Sequence, residues 1–151
     1  MDYSIVPATI VHVHKLAASI READAQEARS MGGDPRRLLR ASFRSSLYSR
    51  AVIIDGEVAA VGGLSGDVLS DEGRPWLVTG KAIERLTPRQ YLEEAHRQVG
   101  ILLSIKPRLE NYVAADYRKA VRLLEVLGFD LDSAAPFGRC GGLFRRFTLV
   151  R

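Results

Sequence analysis

The chain has 151 residues, 46% hydrophobic and 26% charged, the proportions of an ordinary globular protein with one core, expected as a single domain over residues 1–151. No apolar run approaches the ~20 residues that cross a bilayer. The start Met1-Asp2-Tyr3-Ser4 lacks a basic-then-apolar leader, and the lone Cys140 excludes an internal disulfide. These features lead us to expect no membrane span and a cytoplasmic location. The formal charge is only +4, from 22 Lys and Arg against 18 Asp and Glu. The excess gathers at Arg36, Arg37, Arg40, Arg44 and Arg50, and again at Arg139, Arg145, Arg146 and Arg151. Such patches are usually solvated faces, so nucleic acid is not the expected partner; the arginine fork nevertheless suits a phosphate-bearing ligand.

Ser4-Ile5-Val6 before Pro7 predicts a first strand. Thr9 then caps a helix whose apolar positions Val11, Val13, Leu16, Ala17 and Ile20 recur at helical spacing, and the pattern continues through Arg21–Arg29 until Gly32-Gly33 stops it. Asp34-Pro35 restarts a helix with Leu38, Leu39, Ala41 and Phe43 on its buried face. Ala51–Ile54 and Val58–Val61 flank Asp55-Gly56, the strongest short-range signal for a hairpin. Gly62-Gly63 marks a bulge or a close backbone approach.

A polar loop from Ser65 to Arg74 leads to a strand at Pro75–Thr79, then an irregular segment from Gly80 to Leu86. Thr87-Pro88-Arg89-Gln90 is a capping box with proline in the first turn, opening a helix with Tyr91, Leu92, Ala95, Val99, Leu102 and Leu103 on one side and Pro107 beyond its end. Leu109–Val113 reads as a strand and Tyr117–Leu127 as an amphipathic helix stopped by Gly128, with last strands at Phe129–Leu131 and Leu143–Val150. The alternation implies an α/β (mixed α+β) fold, a central mixed β-sheet of about six or seven strands flanked by helices.

Within Tyr117–Phe129, Ala120, Leu123, Gly128 and Phe129 fall where the motif Asn-x-x-Ala-x-x-Leu-Tyr-x-x-x-Gly-Phe has its fixed residues. With the element order, this segment resembles the GCN5-related N-acyltransferase (GNAT) superfamily. A second likeness, to small GNAT-like proteins of tailed bacteriophages, rests on Arg21–Glu27, the hairpin, the Trp76 strand, Leu109–Val113 and Phe144–Phe147. The first resemblance implies an N-acyltransferase that takes acetyl-CoA as co-substrate and a small-molecule or protein amine as acceptor, with a homodimer as a common assembly. The second leaves open a catalytically inactive virion or host-interaction protein.

The resemblance also implies a site. Two parallel strands splay to admit the pantetheine arm, here Leu77, Val78 and Thr79 on one side and Asn111 on the other. The pyrophosphate would meet the helix start at Thr87, where free amides and the helix dipole favour anions, with Lys81, Arg85 and Arg89 available by charge. This chain departs from the family pattern twice: Gly80–Leu86 holds one glycine where the family loop holds several, and Leu124 stands where many members carry an acidic tyrosine. Tyr117, two turns earlier, is expected to face elsewhere or simply to pack. Asp24 and Glu27, three residues apart on one helical face with Arg21, are the candidate general bases, Glu27 preferred. His12, His14 and His96 lack ligand spacing, so no metal is expected.

Overall fold

The computed structural model describes residues 2–151; the Met1 end of the N-terminal reading lies outside them. Asp55 and Gly56 both take positive φ, 48° and 80°, and close the hairpin of β2 (Ser46–Ile54) and β3 (Glu57–Ser65). This backbone matches the right-handed twist of paired strands. Around the hairpin, β1 (Tyr3–Pro7) pairs antiparallel with β2, and β4 (Glu72–Thr79) pairs antiparallel with β3. The sheet continues through β5 (Arg108–Ala114) to β8 (Gly142–Val150), with β6 (Asp130–Leu131) at the edge and β7 (Ala135–Phe137) also pairing β8. Among the described residues only β4 and β5 run parallel.

The architecture is the mixed sheet flanked by helices that the sequence implies, with eight strands among the described residues. The additional strand is β7, a three-residue segment with no apolar alternation. β2 begins at Ser46 and β4 at Glu72, earlier than their apolar runs suggest, because β4 pairs back along Leu64 and Ser65 and the Trp76 indole N–H donates to Ser46 Oγ at 2.8 Å. The long first helix is in fact two, α1 (Ile10–Ala17) and α2 (Glu22–Ser30). Helical periodicity runs through the break, but a tertiary contact overrides it: Ile20 bridges Gly80, and the Arg21 N–H donates to the Thr79 carbonyl at 2.9 Å.

Two helical layers cover the sheet. Val13 and Leu16 of α1 and Leu39 of α3 (Pro35–Arg44) pack on Ala51 and Val61, with Trp76 partly buried beside them. On the other face, Leu102 of α4 (Pro88–Ile105) and Val121 of α5 (Arg118–Val126) pack on Leu64, Leu109, Val113 and Phe147. The capping box at Thr87 forms as written: Gln90 N–H donates to Thr87 Oγ1, and Thr87 N–H to Gln90 Oε1. No helix among the described residues is long and apolar enough to cross a membrane.

The glycine pair on β3 sits where β2 bulges: Ser46 pairs Ser65 and Tyr48 pairs Leu64, so Leu47 is the extra residue. A Cβ at Gly63 would lie 2.1 Å from the Tyr48 carbonyl oxygen, and one at Gly62 would lie 2.9 Å from that of Trp76. Gly63→Ala is therefore expected to cost about 2–3 kcal/mol of overpacking, measured as a lower urea midpoint at an unaltered slope.

Candidate active site

Parallel pairing of β4 and β5 covers just Glu72 with Arg108 and Gly73 with Leu109; the strands then part. Parting strands leave main-chain donors and acceptors facing a gap, and a buried peptide group left unpaired is costly. Side chains close most of these groups. Asn111 Nδ2 donates across the gap to the Pro75 carbonyl at 2.8 Å, while its Oδ1 accepts the Tyr112 N–H at 2.9 Å. Farther along, α2 takes over. Asp24 Oδ2 accepts the Thr79 N–H at 2.7 Å, and Glu27 Oε2 accepts the Ala114 N–H at 2.8 Å. Leu77, midway between Pro75 and Thr79, is turned to the same side by the two-residue strand repeat. Its peptide group has no hydrogen-bond partner across the gap among the described residues.

Asp24 and Glu27 thus do face one way, as their three-residue spacing implies, and each reaches a different splayed strand. Asp24 belongs to a network with Arg21, Thr79 and Tyr117. Buried Thr79 Oγ1 donates to Asp24 Oδ2 and accepts from Arg21 Nε at 2.9 Å. The Tyr117 hydroxyl donates to Asp24 Oδ1 at 2.9 Å and accepts from Arg21 Nη2 at 3.2 Å. Two hydroxyls therefore bridge one cation to one carboxylate. This places Tyr117 inside the site, contrary to the expectation that it faces elsewhere. Tyr117 is the N-cap of α5, at φ −82° and ψ 72°, so its side chain does not follow the helix faces. Burial first, then the Asp24 charge, makes its phenol hold a proton more tightly than an ordinary tyrosine. Burial likewise raises the pKa of Tyr91, whose neighbours include Arg21 and Asp24.

Glu27 has no such cation partner. Burial pushes its carboxyl from an ordinary 4.5 up to about 7; the Ala114 N–H opposes the shift, and the Asp24 and Asp116 charges add to it. A carboxyl that titrates near neutrality in a cleft is suited to accept a proton from an amine.

The connection from β4 to α4 is different. Gly80 N–H is spent on the Ala59 carbonyl at 2.8 Å, and Lys81–Arg85 winds into a 3₁₀ helix whose Ala82 and Ile83 are buried. At the start of α4, Pro88 has no N–H and Thr87 Oγ1 takes that of Gln90. Main-chain donors for a pyrophosphate are mostly consumed. Arg85 lies at the hairpin turn, 2.9 Å from Glu57 and 3.7 Å from Asp55. Arg89 is exposed and pairs with Glu93 at 3.0 Å, and Lys81 is exposed. The structure does not bring these three cations together. Val78 packs its side chain into the α1–α3 layer. Among the described residues no cluster of His, Cys, Asp and Glu is arranged to hold a metal.

No family model matches the sequence, and no curated protein does. Solved structures do match. A GCN5-related N-acetyltransferase from Brucella melitensis superposes at TM-score 0.70 with 18% identity, over 98% of this chain and 75% of that one. Spermidine N-acetyltransferase from Vibrio cholerae, in complex with CoA and spermine, gives 0.69 with 13% identity, over 98% and 95%. Ribosomal-protein-S5-alanine acetyltransferase from Vibrio fischeri gives 0.68 with 11% identity, over 99% and 93%. The chain has the GNAT fold. In GNAT terms, the gap edged by Leu77 and Asn111 is the splay expected from the sequence, and α2 lies across its far end.

The Glu27 environment has a consequence for stability. Its pKa is raised on folding, so the folded state gains from the protonated form; that gain is complete below about 4.5 and lost as pH rises to about 7. Glu27→Gln keeps an oxygen acceptor for the Ala114 N–H but carries no charge. The variant is expected to gain stability relative to the parent as pH climbs from 4.5 to 7, reaching ~2–3 kcal/mol above 7, as read from denaturant melts at each pH.

Proposed function

We propose that the chain is an N-acyltransferase, moving an acyl group from a CoA thioester to an amine in the gap between β4 and β5. The observation that carries this reading is Glu27: a carboxyl of near-neutral pKa that holds the Ala114 N–H at the end of the splay, in a gap where Leu77 of the opposite strand has no partner across it among the described residues. The reaction needs little else from the protein. The amine nitrogen attacks the thioester carbonyl, the C–N bond forms, the C–S bond breaks with the pair leaving on sulfur, and the amine proton passes to Glu27. A thiolate is a tolerable leaving group, and holding the reactants in place supplies much of the acceleration.

In this reading Arg21, Asp24, Thr79 and Tyr117 position α2 rather than react, since both hydroxyls and both Asp24 oxygens are already engaged. Leu77 would offer main-chain bonds to the pantetheine arm and Asn111 would keep the splay open at a fixed width. The nucleotide end of CoA is not gripped by a main-chain cradle, and its phosphates are left to whatever exposed cations they meet. Fold analogy supports an amine acceptor but does not name it. The spent donors before α4 favour a second reading, a GNAT-fold binding protein without catalysis, of which the phage virion or host-interaction protein is one form.

Incubation with acetyl-CoA, longer acyl-CoAs and a panel of polyamines, alanine-terminated peptides and lysine peptides, read by mass spectrometry, separates the two. Acyl transfer is expected, with kcat/KM rising through an apparent pKa of about 7 as Glu27 loses its proton. Glu27→Gln is expected to lower it by about 100-fold or more, the range for loss of a general base. Absence of transfer to every amine in the panel would favour the binding protein.

A further inference from the structure

Beneath α4 lies a cavity of about 230 Å³. Its floor is a row across the sheet in which Arg50 pairs Gly62 and Gly62 pairs Leu77, beside a row of Ile5, Val52 and Ala60. The centre of that floor is small, Ala60 and Gly62, and the roof is Tyr91, Ala95, Val99 and Leu102. Leu102 is the only fully buried residue of the eighteen in α4. A long amphipathic helix therefore stands off the sheet over glycine and alanine rather than packing down. The far wall is Leu123 and Leu124 of α5 with Leu127 just past its end. Leu124 is the residue at the family's tyrosine position, so a hydrocarbon surface stands where a proton donor is usual.

The cavity reaches β4 at Pro75, Trp76 and Leu77, on the strand that forms one edge of the gap. Its polar side chains are Arg50, Tyr91 and a linked set in which Tyr48 OH donates to Gln98 Oε1 at 2.8 Å and Gln98 Nε2 donates to Glu94 at 3.0 Å. At ~30 Å³ per water-sized group the volume takes about eight methylene-sized groups. An acetyl group would leave most of it empty.

We propose that this site selects its donor at the acyl end, taking a medium-chain, unbranched aliphatic thioester whose tail lies under α4. The inference rests on the acyl-transfer reading above and adds to it the substrate class. It accounts together for the apolar cavity and for the missing phosphate cradle: recognition moves from the nucleotide to the hydrocarbon. The bonds made and broken are those already given, because chain length leaves the thioester chemistry unaltered.

Calorimetric titration with acetyl-CoA, octanoyl-CoA and S-octanoyl-pantetheine, alongside transfer of each acyl group to the amine panel, tests it. Burying a methylene is worth ~0.8 kcal/mol, about fourfold in affinity, so six more, partly offset by ordering the chain, predict octanoyl-CoA binding at least about 100-fold tighter than acetyl-CoA. S-octanoyl-pantetheine is expected within about tenfold of octanoyl-CoA. Ala95→Leu fills the cavity from the roof and is expected to lower the octanoyl-to-acetyl preference by about 30-fold or more without lowering Tm. Val99→Phe narrows the same space and serves if Ala95→Leu folds poorly. Equal binding of acetyl- and octanoyl-CoA, or a preference that survives both variants, would overturn the proposal while leaving acyl transfer intact. Octanoyl thioesters that bind tightly, lose affinity in both variants and yet acylate no amine would instead overturn acyl transfer and keep the subsite.

Discussion

Two parallel strands that separate within a sheet expose main-chain groups that no ladder satisfies. The rest of this molecule is arranged around that constraint. Beyond Gly73 and Leu109, every gap-facing group must find a partner outside the β4–β5 ladder. Asn111 closes the narrow end, stitching β5 to the Pro75 carbonyl while capping its own neighbour. At the wide end the task falls to α2, whose Asp24 holds β4 and whose Glu27 holds β5. For that reason the helix cannot be continuous with α1: the chain must turn at Ile20 and Arg21 to bring the two carboxylates over the gap.

The same residues that seal the strand ends are the ones with chemistry to offer, and their environments differ. Asp24 receives bonds from a main-chain N–H and two hydroxyls, each of the hydroxyls also bonded to Arg21. Glu27 receives one amide bond and sits near Asp24 and Asp116, so burial dominates and its proton is held up to about neutrality. Two carboxylates one helical turn apart therefore sit in different surroundings: three hydrogen-bond donors hold Asp24, while Glu27 has one amide and is dominated by burial.

Much of this was legible in the chain. Local rules placed the Asp55-Gly56 turn, the Thr87–Gln90 capping box, the Asp34 cap and the Gly128 stop, each set by neighbours within four residues. The three-residue spacing of Asp24 and Glu27 was enough to put them on one face. What escaped was set at long range. Helix-favouring residues run straight through Ala18–Arg21, and only the bond to Thr79 breaks them. The Ser46–Arg50 segment is polar, and becomes a strand because β3 and Trp76 lie beside it. Tyr117 caps α5 rather than belonging to it, so helical-face spacing does not set where its side chain points. A tyrosine immediately before Arg118-Lys119 at the end of a strand–helix turn was the available signal.

The β4–α4 connection shows why the family's phosphate loop is absent here and not merely altered. A glycine-rich loop cradles phosphate by keeping its amides unpaired and its side chains out of the way. In this chain the connection is built into the core: Ala82 and Ile83 pack with Ile54, Ala59 and Ala60, and the Gly80 amide is tied to Ala59. Restoring free amides there would mean withdrawing two buried side chains from the sheet. At the same time α4 covers the sheet without filling it, and the space beneath is lined mostly by hydrocarbon. The two features are one structural exchange. The connection before α4 is packed into the core, whereas the space beneath α4 is left open and mostly apolar.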